Sequence, residues 1–289
     1  MLTGIGEQIG KIFSVEPKLI DESLETKINK TLSEEREKIR TSKEDIDDFS
    51  WVTGDNNPIH RIQKRAKKLG FDDIPLMGAH VAAYGEQYVT SVIESIKEYW
   101  KADIKITGLD NSFKVPVYPG ERILWQTIGY EKTASEIKLK TTGSVKEKIV
   151  VGITASLGRE YQKMPQIAGP IYSKKYLLEE EHLETFYNCV GGKSNGVVPK
   201  ILIAAFVPAT LLRLLEERTQ TMEGTNLLMN FNFLSEASSG RLQVDIFPTR
   251  EPKKYGKDYL YKFKTVCSQN TKPIVYGEIL SSTKQLIEF

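Results

Sequence analysis

Residues 76–96, LMGAHVAAYGEQYVTSVIESI, are apolar over most of their length and rich in small side chains. The small residues are Gly78, Ala79, Ala82, Ala83 and Gly85. A buried strand typically has about 4–8 residues, and this stretch is much longer, so its length indicates a helix. Because small side chains allow a close approach between layers, we predict a long helix packed tightly against a β-sheet.

Three strand-like segments follow this predicted helix. They are NSFKVPVYPGERILWQTIGY (111–130), EIKLKTTGSV (136–145) and KIVVGITASL (148–157). Each alternates apolar and polar residues, the pattern of a strand with one buried face, and the first contains a Pro-Gly turn. A second, short amphipathic helix is predicted before the long one, at residues 42–53, with Gly54 as its stop signal. The predicted fold class is therefore α+β.

The same plan recurs in the second half of the chain. Residues 177–192 repeat the short helix, residues 198–215 repeat the long apolar helix, and residues 230–247 repeat the first strand and its turn. The matching pairs are Ile46 and Leu183, Phe49 and Phe186, Val52 and Cys189, Gly54 and Gly191, Pro75 and Pro199, Phe113 and Phe233, and Gly120 and Gly240. We interpret this as an internal duplication.

The duplication predicts two domains with a seam in the stretch KMPQIAGP, residues 163–170. The N-terminal domain would comprise residues 1–162 and the C-terminal domain residues 163–289. A single irregular α+β domain is the alternative. The two copies differ in one place, since Ile46 and Pro75 are 29 residues apart whereas Leu183 and Pro199 are 16 apart. The second copy thus lacks 13 residues, which predicts one working site and one supporting half.

The missing segment is the one that contains GDNNPIH, residues 54–60. Pro58 fixes its own φ and pushes Asn57 toward an extended backbone, so the loop is expected to be stiff. On such a loop Asp55 and His60 can point at one small volume. A histidine near neutrality can take a proton from water, and a neighbouring carboxylate can hold that water. The alternative is an Asp–His pair on a surface loop without catalytic function.

Composition narrows the function classes. The chain has 289 residues with 40 basic and 38 acidic side chains, a balance that favours no nucleic acid partner. Its two cysteines allow at most one disulfide bridge. The sequence contains no run of 18 apolar residues, so we expect no membrane span. Residues 1–13 lack the pattern of a secretion signal, and the C-terminal QLIEF is not a peroxisomal address. We expect a cytoplasmic protein.

Over about residues 40–160 the sequence resembles the MaoC-like, hydratase-2 family of (R)-specific enoyl-CoA hydratases. The motif residues that carry the resemblance are Gly54, Asp55, Asn57, Pro58, Ile59 and His60; Ala66, Gly70 and Phe71; Gly78; and Pro116, Val117, Pro119, Gly120 and Glu121. They occur in the order and the approximate spacing of the family. The second half resembles the same fold only through its repeat of the first.

The resemblance implies a tandem, or double, hot-dog fold, in which each half wraps a curved antiparallel sheet around a long helix. It implies that Asp55 and His60 are the catalytic pair, which holds a water that adds across the double bond of a trans-2-enoyl thioester. Asn57 would support the loop. Gly78, at the start of the long helix, would supply a backbone N–H where charge develops on the thioester oxygen.

The sequence departs from the family pattern in two places, and both include candidate substrate contacts. The family has H-x-[DN] where this chain has His60-Arg61-Ile62, and it has His-Gly-Met where this chain has Met77-Gly78-Ala79. His80 could replace the missing histidine, although a hydrogen-bonded core histidine is the alternative. The candidate substrate-binding residues are Arg61, Lys64, Met77 and His80.

Further expectations concern partners and cofactors. The basic run Arg61, Lys64, Arg65, Lys67 and Lys68 is either a solvated helix face or a contact for coenzyme A phosphates. No Cys/His cluster has metal-ligand spacing, so neither a metal nor another cofactor is predicted. His182 has no polar loop beside it and receives no role. The two halves of one chain would form a pseudo-dimer. The sequence does not decide whether two such chains also form a homodimer.

The resemblance implies an enzyme that hydrates enoyl-CoA or dehydrates (R)-3-hydroxyacyl-CoA. The alternatives are a dehydratase acting on acyl carrier protein (ACP) thioesters, a non-catalytic acyl-thioester-binding protein and a hot-dog thioesterase. The shortened second copy would leave room for a long acyl chain. We expect this room to be lined by Leu202, Ala205, Phe206 and Leu211.

Overall fold

The computed structural model describes residues 26, 29–32, 36–100, 104–133, 136–161, 163–167, 169–191, 198–219, 225–249, 252–284 and 286–287. Residues 1–13, on which the expectation about secretion rests, lie outside the described residues. Three residues of the C-terminal pentapeptide, Gln285, Glu288 and Phe289, also lie outside them.

The described elements of the first half are a strand, a group of helices that includes one short and one long helix that the sequence predicts, and then four consecutive strands. They are β1 (Arg36–Arg40), α1 (Glu44–Thr53), a 3₁₀ turn (Pro58–His60), α2 (Gln63–Lys68), α3 (Gly78–Trp100), β2 (Lys105–Phe113), β3 (Arg122–Lys132), β4 (Ile137–Val145) and β5 (Lys148–Gly158). The second half repeats the order. Its elements are β6 (Tyr172–Leu178), α4 (Glu180–Val190), α5 (Lys200–Thr219), β7 (Thr225–Phe233), β8 (Gly240–Pro248), β9 (Lys253–Tyr255), β10 (Asp258–Gln269) and β11 (Lys272–Thr283).

The described strands form one antiparallel sheet rather than two separate ones. Its order is β1-β3-β4-β5-β2-β7-β11-β10-β8-β6, with β9 paired to β10. The second half, written outward-in as β6-β8-β10-β11-β7, corresponds strand by strand to β1-β3-β4-β5-β2 of the first. The two halves are therefore related by a pseudo-two-fold axis that passes between β2 and β7.

The register of the central pair fixes the position of this axis. Asp110 of β2 pairs with Asn230 of β7, and these residues are also 120 positions apart in the sequence. The same offset relates Phe113 to Phe233 and Gly120 to Gly240. The residue pair at the centre of the sheet thus consists of two equivalent positions, which agrees with the duplication seen in the sequence.

Helix α3 lies close against the sheet, which explains its small residues. A Cβ atom added at Gly85 would lie 2.1 Å from Cδ1 of Ile153 and 2.8 Å from the ring of Trp125. Both of these side chains belong to the sheet and are buried. A larger residue at this position would force the helix away from the sheet, so the predicted tight packing is confirmed.

The short helices α1 and α4 pack against each other in an equivalent way. The apolar face of each is buried, with Ile46, Phe49 and Val52 on α1 and Leu183, Phe186 and Cys189 on α4. Both helices end at a glycine with left-handed backbone, Gly54 at φ 73° and Gly191 at φ 76°. The rings of Phe49 and Phe186 lie 5.9 Å apart, so the two copies share one core.

In the part of the chain that the structure describes, none of the helices is both long enough and apolar enough to cross a membrane.

Candidate active site

The loop after α1 is held by the last turn of that helix. The Ser50 hydroxyl donates to the backbone carbonyl oxygen of Asp55 at 2.6 Å. The Asp55 N–H donates to the Thr53 hydroxyl oxygen at 3.3 Å. Both bonds lie in the interior, where polar groups need partners. They fix the backbone at the position where Gly54 turns the chain out of the helix.

The side chain of Asp55 is 6% exposed and takes part in the loop's own hydrogen bonds. Its Oδ1 atom accepts the Asn57 N–H at 3.1 Å. The Asn57 side-chain oxygen accepts the Ile59 N–H at 3.2 Å and thereby caps the 3₁₀ turn, in which Pro58 is the first residue. Proline fits there because the first N–H of such a turn has no internal acceptor. Asn57 therefore stabilises the loop that carries Asp55.

The ring of His60 is oriented by a backbone carbonyl. Its Nδ1 atom lies 2.8 Å from the carbonyl oxygen of Pro75. Because a carbonyl oxygen can only accept, Nδ1 must carry the hydrogen of this bond. In the neutral imidazole Nε2 then has a free lone pair. This tautomer is the one that can accept a proton at Nε2.

The surroundings of His60 also favour its neutral form. Burial lowers the pKa of His60, while the Asp55 carboxylate and the Pro75 carbonyl offset this only in part. The imidazole is therefore neutral near pH 7, and its base form needs no prior deprotonation.

Asp55, Asn57 and His60 all line one cavity of about 270 Å³. The cavity is also lined by Gly78, the first residue of α3, and by the ring of Phe113. The structure thus brings together all four residues that the sequence predicts as catalytic or supporting.

The start of α3 provides backbone N–H groups to this cavity. The first N–H groups of a helix have no acceptor within it and lie at the positive end of its dipole. Gly78 and Ala79, which stand at this end, both line the cavity. A Cβ atom at Gly78 would lie 3.2 Å from the ring of Phe113. Glycine therefore keeps the space in front of the helix open.

Two of the candidate substrate contacts lie outside the cavity. The Arg61 guanidinium forms a salt bridge of 3.0 Å with Asp47 of α1 and donates to the Asn56 side-chain oxygen at 3.3 Å. Arg61 therefore ties the loop to α1. Lys64 lies on the exposed face of α2 and does not line the cavity either. Any contact of these two side chains with a substrate would be made outside the cavity.

The other two candidates lie in the core, and the structure contradicts their prediction as substrate contacts. Met77 is 1% exposed and does not line the cavity. His80 is fully buried, and its ring stacks between Phe49 at 4.5 Å and Tyr84 at 4.8 Å. His80 is thus a core histidine, as the alternative states, and the Cys189 backbone acts on its ring, although neither ring nitrogen makes a hydrogen bond of normal geometry among the described residues. Burial lowers the pKa of His80 to about 4, which keeps this stacked ring neutral.

The second half contributes one wall of the cavity, although with other residues than expected. Leu202, Ala205 and Phe206 are buried but do not line it, whereas Leu211 does. The lining residues of α5 are Pro208, Leu211, Leu212 and Leu215. They follow the i, i+3, i+4, i+7 pattern of one helix face. Because α5 is apolar on all sides, the sequence could not indicate which face meets the cavity.

Some lining and supporting residues were missed by the sequence reasoning. Pro75 supplies the acceptor that orients His60, and its recurrence as Pro199 was a signal of a structural role only. Asn226 and Ser281 also line the cavity, and the Ser281 hydroxyl donates to the Asn226 side-chain oxygen at 2.7 Å. These two come from strands that pair only in the folded chain, so no local sequence pattern could find them.

Among the described residues, no group of three or more His, Cys, Asp or Glu side chains could hold a metal ion.

Comparison with known proteins places the first half in a family. Residues 18–150 match the family model described as "MaoC like domain". No curated protein is similar to the chain at a significant level.

Solved structures show the same architecture over most of the chain. A MaoC domain protein dehydratase from Chloroflexus aurantiacus J-10-fl has a TM-score of 0.63 at 10% identity, covering 88% of this chain and 93% of its own. A protein from Mycobacterium tuberculosis with a double hotdog fold has a TM-score of 0.57 at 9% identity, covering 85% and 93%. A 12:0-ACP thioesterase from Umbellularia californica has a TM-score of 0.54 at 8% identity, covering 85% and 92%.

At such low identities the likeness establishes the fold alone, and that fold is shared by dehydratases and thioesterases. It agrees with the α+β architecture and the repeated strand order described above. Residues 18–150 are therefore similar in sequence to a MaoC-like domain, and the described part of the chain adopts the double hot-dog fold.

Proposed function

We propose that this protein hydrates trans-2-enoyl thioesters to (R)-3-hydroxyacyl thioesters and catalyses the reverse dehydration. The observation that carries the proposal is the bond between His60 Nδ1 and the Pro75 carbonyl oxygen, because it leaves Nε2 as the proton acceptor of a residue that lines the cavity. A buried carboxylate, Asp55, faces the same cavity. The addition of water requires a base of this kind together with a nearby carboxyl group.

In the proposed hydration a water molecule lies between Asp55 and His60. His60 Nε2 takes one proton from the water, and the remaining hydroxide forms a bond to C3 of the substrate. The electron pair of the C2–C3 double bond moves toward the thioester carbonyl, which gives an enolate. As the enolate collapses, C2 takes the proton that His60 received from the water, relayed through Asp55, so both side chains return to their starting protonation states. Water is thus added across the double bond, with hydroxyl on C3 and hydrogen on C2.

The developing charge on the thioester oxygen needs hydrogen-bond donors. The N–H groups at the start of α3, beside Gly78 and Ala79, are the candidates because they line the cavity and have no acceptor inside the helix. Removal of one such donor in other enzymes costs about a hundredfold or more in rate. The reaction as proposed requires the thioester and water, and no cofactor.

Hydration of enoyl-CoA is a direct test. Purified full-length protein is mixed with crotonyl-CoA and with a longer trans-2-enoyl-CoA, and the loss of the enoyl absorbance is followed. We expect loss of the absorbance without release of free thiol. Stable absorbance with both substrates would contradict the proposal for CoA thioesters.

A thiol reagent in the same assay separates hydration from thioester hydrolysis. Thioesterase activity is the second candidate, because a solved thioesterase shares the fold. It would release free coenzyme A in proportion to the substrate lost, whereas a hydratase would release none. Repeating the assay with the same acyl groups on ACP distinguishes the two carriers, since both present the same phosphopantetheine arm.

A further inference from the structure

The wall that the second half supplies to the cavity contains one polar pair. Asn226 of β7 and Ser281 of β11 are partners in the sheet, and both line the cavity. The Ser281 hydroxyl donates to the Asn226 side-chain oxygen at 2.7 Å, and Ser281 is only 2% exposed. The residues that α5 contributes to the same wall are all apolar. The proposed mechanism uses neither member of this polar pair.

The equivalent pair in the first half is apolar. It consists of Ile106 of β2 and Leu157 of β5, which are partners in the sheet. The offset of 120 relates Ile106 to Asn226, and in both halves the pair stands beside a break in the strand register. Ile106 and Leu157 are buried and do not line the cavity. The polar pair is therefore a property of the copy that faces the cavity, and the fold itself does not require it.

Asn226 has hydrogen-bonding capacity that its neighbours do not use. Its side-chain oxygen is turned to Ser281, so the amide nitrogen with its two N–H donors points away from this bond. Among the described residues, no group accepts a hydrogen bond from that nitrogen. Thr225, the remaining polar residue of this wall, is already bonded to the Ser282 hydroxyl at 2.7 Å. Asn226 is thus the donor that the wall offers to a bound molecule.

The burial of this wall indicates which part of a thioester would contact it. The carrier arm of a bound thioester must lead out to solvent, because the carrier itself is too large to enter. Ser281 and the α5 residues Leu211 and Leu215 are at most 4% exposed, whereas Lys114 of the first-half lining is exposed. The buried wall is therefore the one that remains for the acyl chain.

The spacing of the strands gives the distance of the pair from the reacting end. The ring of Phe113, at the end of β2, lies beside Gly78, where the thioester carbonyl would bind. Strands β7 and β11 are the first and second neighbours of β2 on this side of the sheet. Asn226 and Ser281 therefore lie about 5 and about 10 Å from β2 across the sheet. An extended chain advances about 1.2 Å per bond, so about four to eight bonds separate the pair from the carbonyl carbon.

We propose that the cavity selects acyl chains that carry a hydroxyl or keto oxygen at this distance, and that Asn226 donates a hydrogen bond to that oxygen. Asn226 and Ser281 are uncharged, so they fit a neutral oxygen group. A plain hydrocarbon chain would cover the Asn226 amide without giving it a partner, which is unfavourable. The inference rests on the proposed function, because it names the substrate class of the same site.

Pairs of enoyl-CoAs that differ only in a terminal hydroxyl group test the selectivity. The trans-2-enoyl-CoAs of six, eight and ten carbons are compared with their terminally hydroxylated counterparts, and crotonyl-CoA serves as a substrate too short to reach the pair. In wild type, kcat/KM should be about tenfold higher for the hydroxylated chain at the best-fitting length, since one neutral hydrogen bond contributes up to about this factor. Equal kcat/KM within every pair, with crotonyl-CoA hydrated, would overturn the inference and leave the proposed function standing.

Asn226→Leu removes the polar group at nearly constant size. Its preference for the hydroxylated chain should disappear, while crotonyl-CoA reacts as in wild type. Asn232→Leu is the matched control, because it makes the same change on the same strand outside the cavity lining, and it should keep the wild-type preference. A preference that survives in Asn226→Leu would contradict the role of Asn226. If that variant does not fold, Ser281→Ala, which removes the donor that orients Asn226, should still lower the preference by about threefold, and an unchanged preference would contradict the proposal.

Unreactive analogues keep the test independent of catalysis. Saturated acyl-CoAs of the same lengths, with and without the terminal hydroxyl, have no double bond to hydrate, and titration calorimetry gives their dissociation constants. If none of the enoyl-CoAs reacts, crotonyl-CoA included, the proposed function fails, and these constants alone decide on the selectivity. Tighter binding of the hydroxylated chain to wild type but not to Asn226→Leu would support the inference, and equal binding of both chains to wild type would overturn it.

Discussion

The carbonyl oxygen of Pro75 accepts a hydrogen bond from Nδ1 of His60 at 2.8 Å, across 15 residues of sequence. The bond connects the polar loop to the chain just before α3, so the base and the helix terminus share one rigid support. It fixes the tautomer as well as the position of the ring. The chemistry of the site therefore depends on a backbone group that substitution at position 75 alone would not remove.

The first prediction concerns the catalytic pair. His60→Gln and Asp55→Asn should each lower kcat/KM for enoyl-CoA hydration by about a hundredfold or more, because proton transfer loses its donor or acceptor. Far-UV circular dichroism should show that both variants are folded. His182→Gln is the matched control, since His182 stacks on the exposed Trp51 and lies outside the cavity lining. Equal activity of all three variants would exclude the mechanism.

The second prediction concerns the space at the start of α3. Gly78→Ala should lower kcat/KM by about tenfold or more, because its Cβ would press on Phe113 in front of the helix terminus. Stability should hardly fall, since alanine is the better helix former. Gly129→Ala is the control, as an added Cβ there meets nothing within 4 Å. Full activity of Gly78→Ala would show that catalysis does not require a close approach of the substrate to the backbone N–H groups at this position.

The third prediction concerns the wall supplied by α5. Leu211→Phe should lower kcat/KM for long enoyl thioesters while crotonyl thioesters react as in wild type, because the larger ring takes up volume in a cavity of about 270 Å³. Activity should be measured from four to twelve carbons. Leu228→Phe, at a partly exposed position outside the lining, is the matched control. A uniform effect on all chain lengths would indicate that this wall does not contact the acyl chain.

The fourth prediction is the pH dependence caused by Glu86, a buried carboxyl group of α3 that accepts the backbone N–H groups of Lys200 and Ile201. Burial raises its pKa from 4.5 to about 7, so the folded protein holds a proton that the unfolded chain releases between these values. The associated stability is complete below pH 4.5 and is lost as the pH rises through 7. From pH 4.5 to 8, wild type should lose ~3 kcal/mol relative to Glu86→Gln in urea unfolding. Parallel pH profiles of the two proteins would show that Glu86 titrates normally.

The charged and titratable groups that face Glu86 act on the same profile. The Lys200 ammonium favours the charged carboxylate, and burial lowers the pKa of Lys200 to about 8. Tyr187 of α4 is a further titratable neighbour, and its pKa is raised by burial and by the Glu86 charge. A Lys200→Met variant should therefore shift the transition caused by Glu86 to higher pH.

The fifth prediction concerns His80 and runs in the opposite direction. Its pKa is lowered from 6.5 to about 4 by burial, so stability is lost as the pH falls from 6.5 through 4. Wild type should lose ~3 kcal/mol relative to His80→Phe over this range, measured by urea unfolding. At pH 7.5 the variant should keep its activity within about threefold. A large loss of activity would indicate that His80 contacts the substrate after all.

The fold could be predicted from the sequence because its main helices and strands are repeated. The apolar face of α1, the long apolar helix and the alternation in the strands all recur in the second half. What could not be predicted is the fusion of the strands into one sheet. That depends on the pairing of β2 with β7, which are more than a hundred residues apart and carry no local sign of a partner.

The candidate site was predictable where its residues lie on one short loop. Asp55, Asn57 and His60 belong to a single turn, so their proximity follows from chain geometry. Residue type alone misled at His80, because a ring on a helix does not indicate what it will face. Glu86 escaped notice for the same reason, since its partners are backbone N–H groups of a helix 114 residues away.

The position of the pseudo-two-fold axis has a consequence for how this chain could diverge from a symmetric pair. In a dimer of identical subunits, the residue on the axis meets its own copy, and Asp110 would then stand directly opposite another aspartate. Like charges opposed on neighbouring strands are unfavourable, and burial already raises the pKa of Asp110. Within one polypeptide the opposite residue is Asn230, which carries no charge. Covalent linkage thus makes each position on the axis separately mutable, a freedom that no pair of identical subunits has.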